Sequence, residues 1–272
     1  MSNTGDQSSL ITEAVNRILE TSSVAALATL VWAREHVGAK MLVEGLNERA
    51  GTLGSAMLDE VVARHAQKFL ASRIEAATFK VDEIADAPEA LRDARILFER
   101  IEPEPRLVIC GAGHVGASLA RLAHLVGYRI TLIDDRADFV TRERFPENEI
   151  ELIAAGNWSD AVRESVGRGR SVAVAVVTRG HNEDEECMRA VLAARPDYIG
   201  LIGSKRRTNI VLERLRETGF DEELLAGVRA PIGLDIGAVS PEEVALSILA
   251  EIVAERRGGT GSSLSAWRRK SV

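Results

Sequence analysis

Three glycines near the middle of the chain have the spacing of a phosphate-binding turn. Gly111, Gly113 and Gly116 fit the pattern G-x-G-x-x-G, between the apolar segment Arg106 to Cys110 and the helical segment Val115 to Val126. Such glycines permit a tight bend, the close approach of a pyrophosphate and close packing of helix on strand. The helix start also offers free N–H groups and a partial positive charge. The pattern predicts a phosphate-bearing ligand over this turn, although the same glycines could serve only to close it.

Two acidic residues follow the next predicted strand, where such folds hold a ribose. Asp134 and Asp135 come directly after the apolar segment Arg129 to Ile133. Their distance from the glycines is close to the spacing of about 20 residues expected for a ribose-binding acid. Arg136 comes next and could instead serve a 2′-phosphate or another anion. His114 lies inside the glycine turn, so we expect it to face the ligand.

A basic segment follows another predicted strand, Tyr198 to Ile202. Gly203 and Ser204 lead directly into three cations, Lys205, Arg206 and Arg207. Cations in the first turn of a helix are unfavourable because the helix dipole is positive there. A bound anion would remove that conflict. We therefore interpret this segment as a second anion site, with a solvated basic surface as the alternative.

Two further positions are candidates for ligand contact. His181 follows the valine-rich strand segment Ser171 to Thr178, and it could donate to a ligand or move a proton. It could equally be a loop histidine without a chemical role. Asp235 lies in a segment with two glycines and a proline, which indicates a shaped loop. The acidic run Glu183 to Glu186 is interpreted as a helix start, because no second set of metal ligands accompanies it.

Composition and charge limit the classes of function. The chain has 272 residues, a net charge of −7 and a pI of about 5.4, so a broad nucleic-acid-binding surface is not expected. No apolar run approaches the length of a membrane span. The polar start lacks a signal pattern, and two isolated cysteines, Cys110 and Cys187, do not form a disulfide framework. These features predict a soluble cytoplasmic protein.

The order of predicted elements indicates an α/β fold with two domains. After about residue 96, short buried strands alternate with helices, which is typical of a Rossmann-type parallel sheet. A smaller α+β domain is expected over residues 1–95, the Rossmann-type domain over 96–258 and a flexible tail over 259–272. Asp86 to Glu104 is charged and rich in proline, and its later part is interpreted as the connection between the domains. Ser240, Pro241 and Glu243 predict a capped start for the last helix.

Four segments together resemble the XdhC/CoxI family, the xanthine dehydrogenase accessory factors. They are RLVICGAGHVG from Arg106, VTRGH from Val177, YIGLIGSKRR from Tyr198 and VRAPIGLDIGAVSPEEVALS from Val228. The resemblance extends from about Leu97 to Gly258. It implies binding of molybdenum cofactor (molybdopterin), help in its insertion into a molybdenum hydroxylase such as xanthine dehydrogenase, a homodimer, and a cysteine desulfurase as a further partner. The contact residues that it implies are Gly111, Gly113, His114, Gly116, His181, Lys205, Arg206 and Asp235.

The N-terminal part departs from the family pattern. The family has a G-G-G-C-x-E segment where this chain has Gly54 to Asp59, and Met57 stands in place of the cysteine. The loop before Gly38 is shortened to Ala33 to Val37. These differences indicate a divergent paralogue, whose client or ligand could differ.

Three functions fit these observations. The first is a non-catalytic chaperone that binds molybdenum cofactor. The second is an NAD(P)-dependent oxidoreductase with Asp134 on the ribose, although His181 is the only acid–base candidate and no catalytic or metal-binding residue is predicted. The third is a nucleotide-sensing module. A ligand that binds the native state would stabilise the protein against heat, which separates the three.

Overall fold

An antiparallel sheet with a helix on each face forms the N-terminal part of the chain. The computed structural model describes residues 3–45, 48–85, 89–167 and 171–265. The chain divides into two compact units, Met1–Pro103 and Glu104–Val272, called the N-terminal and C-terminal units below. The elements of the N-terminal unit are α1 (Asn3–Glu20), β1 (Ala25–Trp32), β2 (Lys40–Glu44), β3 (Glu48–Gly51), α2 (Ala56–Ala71), β4 (Ala76–Lys80), α3 (Val81–Ile84), α4 (Glu89–Arg92) and β5 (Arg95–Ile101).

The strands of the N-terminal unit pair in the order β3-β2-β1-β5-β4, with every neighbour antiparallel. Helix α2 packs through Leu58, Val62 and Phe69 on one face of the sheet. Helix α1 packs through Ile11 and Ile18 on the other. The sheet is therefore apolar on both faces at its centre, which explains why β1 is a nearly continuous apolar run.

The N-terminal unit ends later than the sequence predicted. Residues 95–101 form β5, which pairs with β1 and β4, so the boundary lies after Pro103 and not after residue 95. Ile96 and Phe98 are fully buried on one face of the strand, whereas Arg95 and Glu99 lie on the other face, in the alternation of a strand. The charged residues of this segment made it resemble a connection when only the sequence was considered.

The C-terminal unit is a doubly wound α/β fold, as predicted. Its elements are β6 (Arg106–Cys110), α5 (His114–Leu125), β7 (Arg129–Asp134), β8 (Ile150–Ala154), α6 (Trp158–Val166), β9 (Val172–Val176), α7 (His181–Ala194), β10 (Tyr198–Leu201), α8 (Lys205–Glu217), α9 (Glu222–Ala226) and α10 (Pro241–Arg257), with a short 3-10 helix at Ala137–Phe139. Its strands pair in parallel, in the order β10-β9-β6-β7-β8. From β6 the chain adds β7 and β8 on one side, and it then crosses over to add β9 and β10 on the other side. The topological switch point therefore lies between β6 and β9.

Helices cover both faces of the parallel sheet. Leu107 and Ile109 of β6 belong to the cluster that contains α5 and α10. Val108 and Cys110 of the same strand belong to the cluster with α6, α7 and α8. Alternate residues of a strand face opposite sides of a sheet, and here both sides are apolar because both are covered. This arrangement places the starts of several helices at the carboxyl edge of the sheet.

The last helix confirms its predicted start. The Ser240 hydroxyl accepts from the Glu243 N–H at 3.2 Å, and the Glu243 carboxylate accepts from the Ser240 N–H at 3.0 Å. Gly258 ends the helix with left-handed backbone. Of the predicted tail, residues 266–272 lie outside the described part of the chain.

Within the described residues, no helix combines the length and the apolar character that a membrane crossing requires.

Candidate functional site

A cleft of about 370 Å³ lies at the carboxyl edge of the parallel sheet, around the switch point. Ligands of open α/β sheets bind at this position, and the volume is within the range of about 300–1,000 Å³ typical of small-molecule sites. It is lined by Gly111, Gly113, His114, Val115, Asp134, Asp135, Arg136, Trp158, Val177, Thr178, Arg179, Glu183, Ile202, Gly203, Arg207 and Pro241. The lining brings together the glycine turn, the two acids at the end of β7 and Gly203.

The three glycines of the turn have different surroundings. Gly111 has φ of +115°, and a Cβ there would lie 2.6 Å from the Val177 carbonyl oxygen. A Cβ on Gly116 would lie 1.8 Å from the Gly111 carbonyl oxygen, and Gly116 is buried below the cleft. Gly113 has open space around its missing Cβ. Two glycines therefore let the turn close and the helix pack, whereas Gly113 leaves room at the cleft.

The start of α5 has no side-chain cap. Gly113 occupies the N-cap position with φ of −66°, and among the described residues no side-chain cap bonds the first turn. The same is true of α7, which starts after Gly180. The other described helices of this unit, α6, α8, α9 and α10, all have a capping side chain. The two uncapped α-helices described in this unit follow β6 and β9, so free N–H donors flank the switch point.

Asp134 holds the glycine turn instead of facing the cleft freely. Its carboxylate is 1% exposed and accepts from the Ala112 N–H at 2.7 Å and from the Arg136 N–H at 3.0 Å. The Arg136 guanidinium donates two more bonds, Nε at 2.8 Å and Nη2 at 3.0 Å. Burial by itself would raise the pKa of Asp134, but these hydrogen bonds outweigh it and lower the pKa. The predicted role on a ribose is corrected here, because the carboxylate is fully engaged by the protein.

The second acid pairs with an arginine from across the switch point. The Asp135 carboxylate accepts two hydrogen bonds from Arg179, each at 2.8 Å. Arg179 also lies 3.4 Å from the Glu183 carboxylate. Bidentate pairs of this kind fix orientation as well as charge. The bridge connects the end of β7 to the end of β9, and β6 lies between these strands.

Arg136 is held on two sides. One edge of its guanidinium binds Asp134, and its Cζ lies 3.5 Å from the centroid of the Phe139 ring. Stacking on an aromatic face and a bidentate carboxylate are both favourable for a planar guanidinium. Hydrogen bonds from Arg136 to Asp134 raise the pKa of Arg136 above its ordinary value. Arg136 is thus a fixed cation in the cleft wall.

Of the three cations in the basic segment after β10, only Arg207 lines the cleft. The Ser204 hydroxyl caps α8 by accepting from the Arg207 N–H at 3.2 Å. Lys205 and Arg206 are exposed and do not line the cleft. Arg207 does line it, and its Nε donates at 2.9 Å to the fully buried Asp184, which also accepts from the Thr178 hydroxyl. The prediction for Lys205 and Arg206 is therefore corrected, because Ser204 starts the helix so that its next two residues are exposed to solvent and the third reaches the cleft.

The remaining predicted residues divide into those in the cleft and those outside it. His114 is exposed and lines the cleft at the start of α5. His181 is the first residue of α7, a helix that starts earlier than predicted, and its contact with a ligand stays a prediction. Asp235 is exposed and lies outside the lining. Its predicted contact with the ligand has no support in this geometry, because the loop meets the cleft only further along, at Pro241.

Several lining residues were not identified from the sequence. Trp158 stands at the start of α6, is 4% exposed and receives no sequence signal because neither β8 nor α6 was predicted. Arg179 and Glu183 lie on either side of His181, so the strand end that pointed to His181 could also have indicated them. The guanidinium of Arg179 and the carboxylate of Glu183 both contribute charge to the cleft.

The charges that line the cleft balance. Arg136, Arg179 and Arg207 are present with Asp134, Asp135 and Glu183, and each of the three arginines bonds a carboxylate. The positive potential for an anion therefore comes from the uncapped helix starts and not from an excess of cationic side chains. Among the described residues, no group of three His, Cys, Asp or Glu side chains is arranged to hold a metal ion.

Comparison with known proteins places this geometry in a family. The XdhC Rossmann domain matches residues 107–252, and a second model, described as the XdhC and CoxI family, matches residues 19–81. The chain belongs to the XdhC/CoxI family. The family resemblance predicted from the sequence is confirmed, and the Rossmann match includes every residue that lines the cleft.

The relatives that match include three curated proteins. The chain is 30% identical over 260 residues to the uncharacterized protein YqeB of Escherichia coli K12, covering 93% of this chain and 47% of YqeB. It is 31% identical over 170 residues to a probable xanthine dehydrogenase subunit from Bacillus subtilis 168, covering 62% and 48%. It is 33% identical over 84 residues to the molybdenum cofactor insertion chaperone PaoD of Escherichia coli K12, covering 31% and 26%. The chain thus spans about half the length of the first two.

A solved structure has the same fold. The crystal structure of a xanthine dehydrogenase from Bacillus halodurans matches with a TM-score of 0.66 and 23% identity, over 95% of this chain and 68% of that one. At this identity the similarity shows the fold and no more. It confirms an α/β protein with an antiparallel N-terminal sheet and a Rossmann-like C-terminal sheet.

Proposed function

We propose that this XdhC/CoxI-family protein binds molybdenum cofactor (molybdopterin) in the cleft through the phosphate of the cofactor, and passes the cofactor to a molybdenum hydroxylase. It acts as a chaperone and not as a catalyst. The relationship to PaoD, whose name describes cofactor insertion, and to a probable subunit of xanthine dehydrogenase supports the ligand and the client class. The cofactor supplies molybdenum redox chemistry in the client.

One observation of the structure carries the ligand assignment. The start of α5 has free N–H groups, no capping side chain and open space at Gly113. A phosphate fits this combination, because its oxygens accept from the N–H groups and its charge complements the helix dipole. Arg136 and Arg179 stand beside it in the same lining. The apolar wall of Trp158, Val177 and Ile202 would contact the pterin ring.

The other partners belong to the same proposal. A molybdenum hydroxylase such as xanthine dehydrogenase is the client, and a cysteine desulfurase supplies sulfur to the bound cofactor. We also assign a homodimer and a cytoplasmic location. Cys110 and Cys187 are both fully buried, and burial raises the pKa of the Cys187 thiol. Sulfur would therefore be transferred to the cofactor itself and not carried on a thiol of this chain.

The Gly113→Asp variant tests the ligand assignment. It places a carboxylate where the phosphate approaches, and the open space at Gly113 leaves the fold intact. We expect at least about a ten-fold loss of affinity for molybdopterin, which corresponds to about 1.4 kcal/mol. Purified protein is incubated with molybdopterin released from a molybdenum hydroxylase, and the bound pterin is quantified by fluorescence after oxidation.

Gly156→Asp is the matched control. Gly156 also has open space around its missing Cβ and lies near the same sheet edge, but it does not line the cleft. It should bind molybdopterin like the original protein. Equal affinity in the Gly113→Asp variant, with the fold verified by circular dichroism, would show that the phosphate does not bind at α5. Failure of the loaded protein to reactivate a cofactor-free xanthine dehydrogenase would remove the chaperone role.

The other two candidate functions share the cleft. An NAD(P)-dependent oxidoreductase or a nucleotide sensor would be stabilised by its nucleotide. The full occupancy of the Asp134 carboxylate weighs against an oxidoreductase that holds the ribose through this acid. Molybdopterin therefore remains the ligand that the cleft supports best.

A further inference from the structure

The acid that would hold a ribose in the cleft is saturated by protein donors. An ionised carboxylate has about four lone-pair sites. Each oxygen of Asp134 accepts two hydrogen bonds: Oδ1 from the Arg136 N–H and Nε, and Oδ2 from the Ala112 N–H and Arg136 Nη2. The side chain is also buried. Asp134 consequently has no acceptor left for the hydroxyls of a ribose.

Arg136 occupies the cleft wall where those hydroxyls would arrive. Three of the four bonds to Asp134 come from this residue, and the guanidinium stacks on Phe139 at 3.5 Å. A ribose could reach Asp134 only after Arg136 had left the carboxylate and its aromatic partner. The displaced arginine would also leave a buried carboxylate with fewer donors, which is costly.

The Asp135–Arg179 pair closes the neighbouring position. A dinucleotide in a Rossmann fold runs across the switch point, with its pyrophosphate over the glycine turn. The bidentate pair connects the strand ends on the two sides of β6, so it crosses that path. Both acids after β7 are therefore bonded to arginines, and the donors that remain for a ligand are main-chain N–H groups and guanidinium edges.

We infer that the cleft recognises the terminal phosphate of its ligand and excludes adenine dinucleotides, with Arg136 and Arg179 as the residues that determine this specificity. The identification of that phosphate ligand as molybdopterin rests on the proposed function. The exclusion of NADH rests only on the four residues Asp134, Asp135, Arg136 and Arg179. The cleft thus takes a phosphate monoester and not a nucleotide joined through two riboses.

Binding of NADH to a double variant tests the exclusion. Arg136→Ala with Arg179→Ala frees acceptor sites on Asp134 and Asp135, and NADH fluorescence reports the complex. We expect the double variant to bind NADH at least ten-fold more tightly than the original protein does. Its affinity for molybdopterin should decrease. Arg136→Lys is a second variant in case the first unfolds, because it keeps a cation but cannot form the bidentate pair.

Arg142→Ala is the control, because Arg142 is an arginine after β7 that lies outside the cleft lining. It should change neither affinity. Tight binding of NADH by the original protein would overturn the specificity inference. So would an unchanged NADH affinity in every variant that removes the bidentate pair. Both outcomes count whether or not the protein binds molybdopterin. A gain for NADH combined with no binding of molybdopterin by the original protein keeps the inference and overturns the proposed function.

Discussion

Gly113 and Gly116 belong to the same turn but have opposite physical constraints. A Cβ at position 116 would overlap the Gly111 carbonyl oxygen, which is part of the backbone and cannot move aside. A Cβ at position 113 would meet no atom within 4 Å. The sequence pattern treats all three glycines alike, so it predicted their position but could not show which one faces the ligand and which one fixes the helix.

Alanine at these two positions should therefore have different effects on stability. Gly116→Ala forces α5 away from β6, and we expect it to lower the free energy of unfolding by about 3 kcal/mol or more. Gly113→Ala should cost about 1 kcal/mol or less, mainly through a poorer N-cap residue. Urea unfolding followed by circular dichroism measures both. Similar losses in the two variants would contradict the assigned roles.

Motif spacing predicts the position of a residue but not its hydrogen-bond partners. The spacing correctly placed Asp134 at the cleft, but it could not predict that Ala112 and Arg136 would use its oxygens. Likewise, the sequence could not show that Arg207, and not Lys205 or Arg206, lines the cleft. That choice depends on the position of the Ser204 cap, which decides which side chain of α8 faces the cleft. Such partner choices depend on three-dimensional neighbours and not on neighbours along the chain.

Helices and strands were predicted best where apolar residues were uninterrupted. The apolar runs of β6, β7 and β9 are buried on both faces, and these strands were identified from sequence. Strand β8 carries a charged residue, Glu151, which accepts from the Thr131 hydroxyl at 2.9 Å on the neighbouring strand. Strand β5 carries three charged residues, Arg95, Glu99 and Arg100, beside a segment that contains prolines. Neither strand was predicted, because the charged residues in each obscured its apolar pattern.

Helix α2 contains a histidine whose environment makes the N-terminal unit sensitive to pH. The His65 ring packs at 4.5 Å from the Phe79 ring and 5.2 Å from the Phe98 ring, between centroids. Its Nε2 is buried without a hydrogen-bond partner among the described residues. Desolvation by burial, and then the charge of Lys68, lower the pKa of His65 below its ordinary value of 6.5. The folded state therefore binds this proton less readily than the unfolded state.

The pH dependence follows in sign from that lowered pKa. Above pH 6.5 the histidine is neutral in both states and costs nothing, whereas below it the unfolded state takes up a proton that the folded state resists. Stability should therefore fall as pH decreases from 6.5. The His65→Phe variant should lose less stability than the original protein between about pH 7.5 and about pH 5.5, each measured by urea unfolding. An identical decrease in both would show that His65 does not contribute.

At the scale of the whole molecule, the two units differ in how closely they follow the family. The Rossmann match spans residues 107–252, whereas the N-terminal match stops at residue 81. Met57, at the position where the resemblance implies a cysteine, is 49% exposed at the start of α2. The proposed cofactor contacts all lie in the C-terminal unit.

Relatives about twice as long as this chain carry additional sequence beyond the matched region. The chain spans 47% of YqeB and 48% of the probable xanthine dehydrogenase subunit from Bacillus subtilis.

The fold class and the domain order were predicted from the sequence because they depend on periodicity and on four family segments. The client and the ligand depend on surfaces and on bound chemistry, which periodicity does not encode.

A crystal structure of the protein with molybdopterin tests the central claim most directly. We predict electron density for the phosphate at the start of α5, within hydrogen-bond distance of the Gly113 and His114 N–H groups and beside Arg136 or Arg179. The Asp134 carboxylate should keep its bonds to Ala112 and Arg136. A cofactor bound elsewhere, with the α5 start free of any phosphate oxygen, would contradict the account.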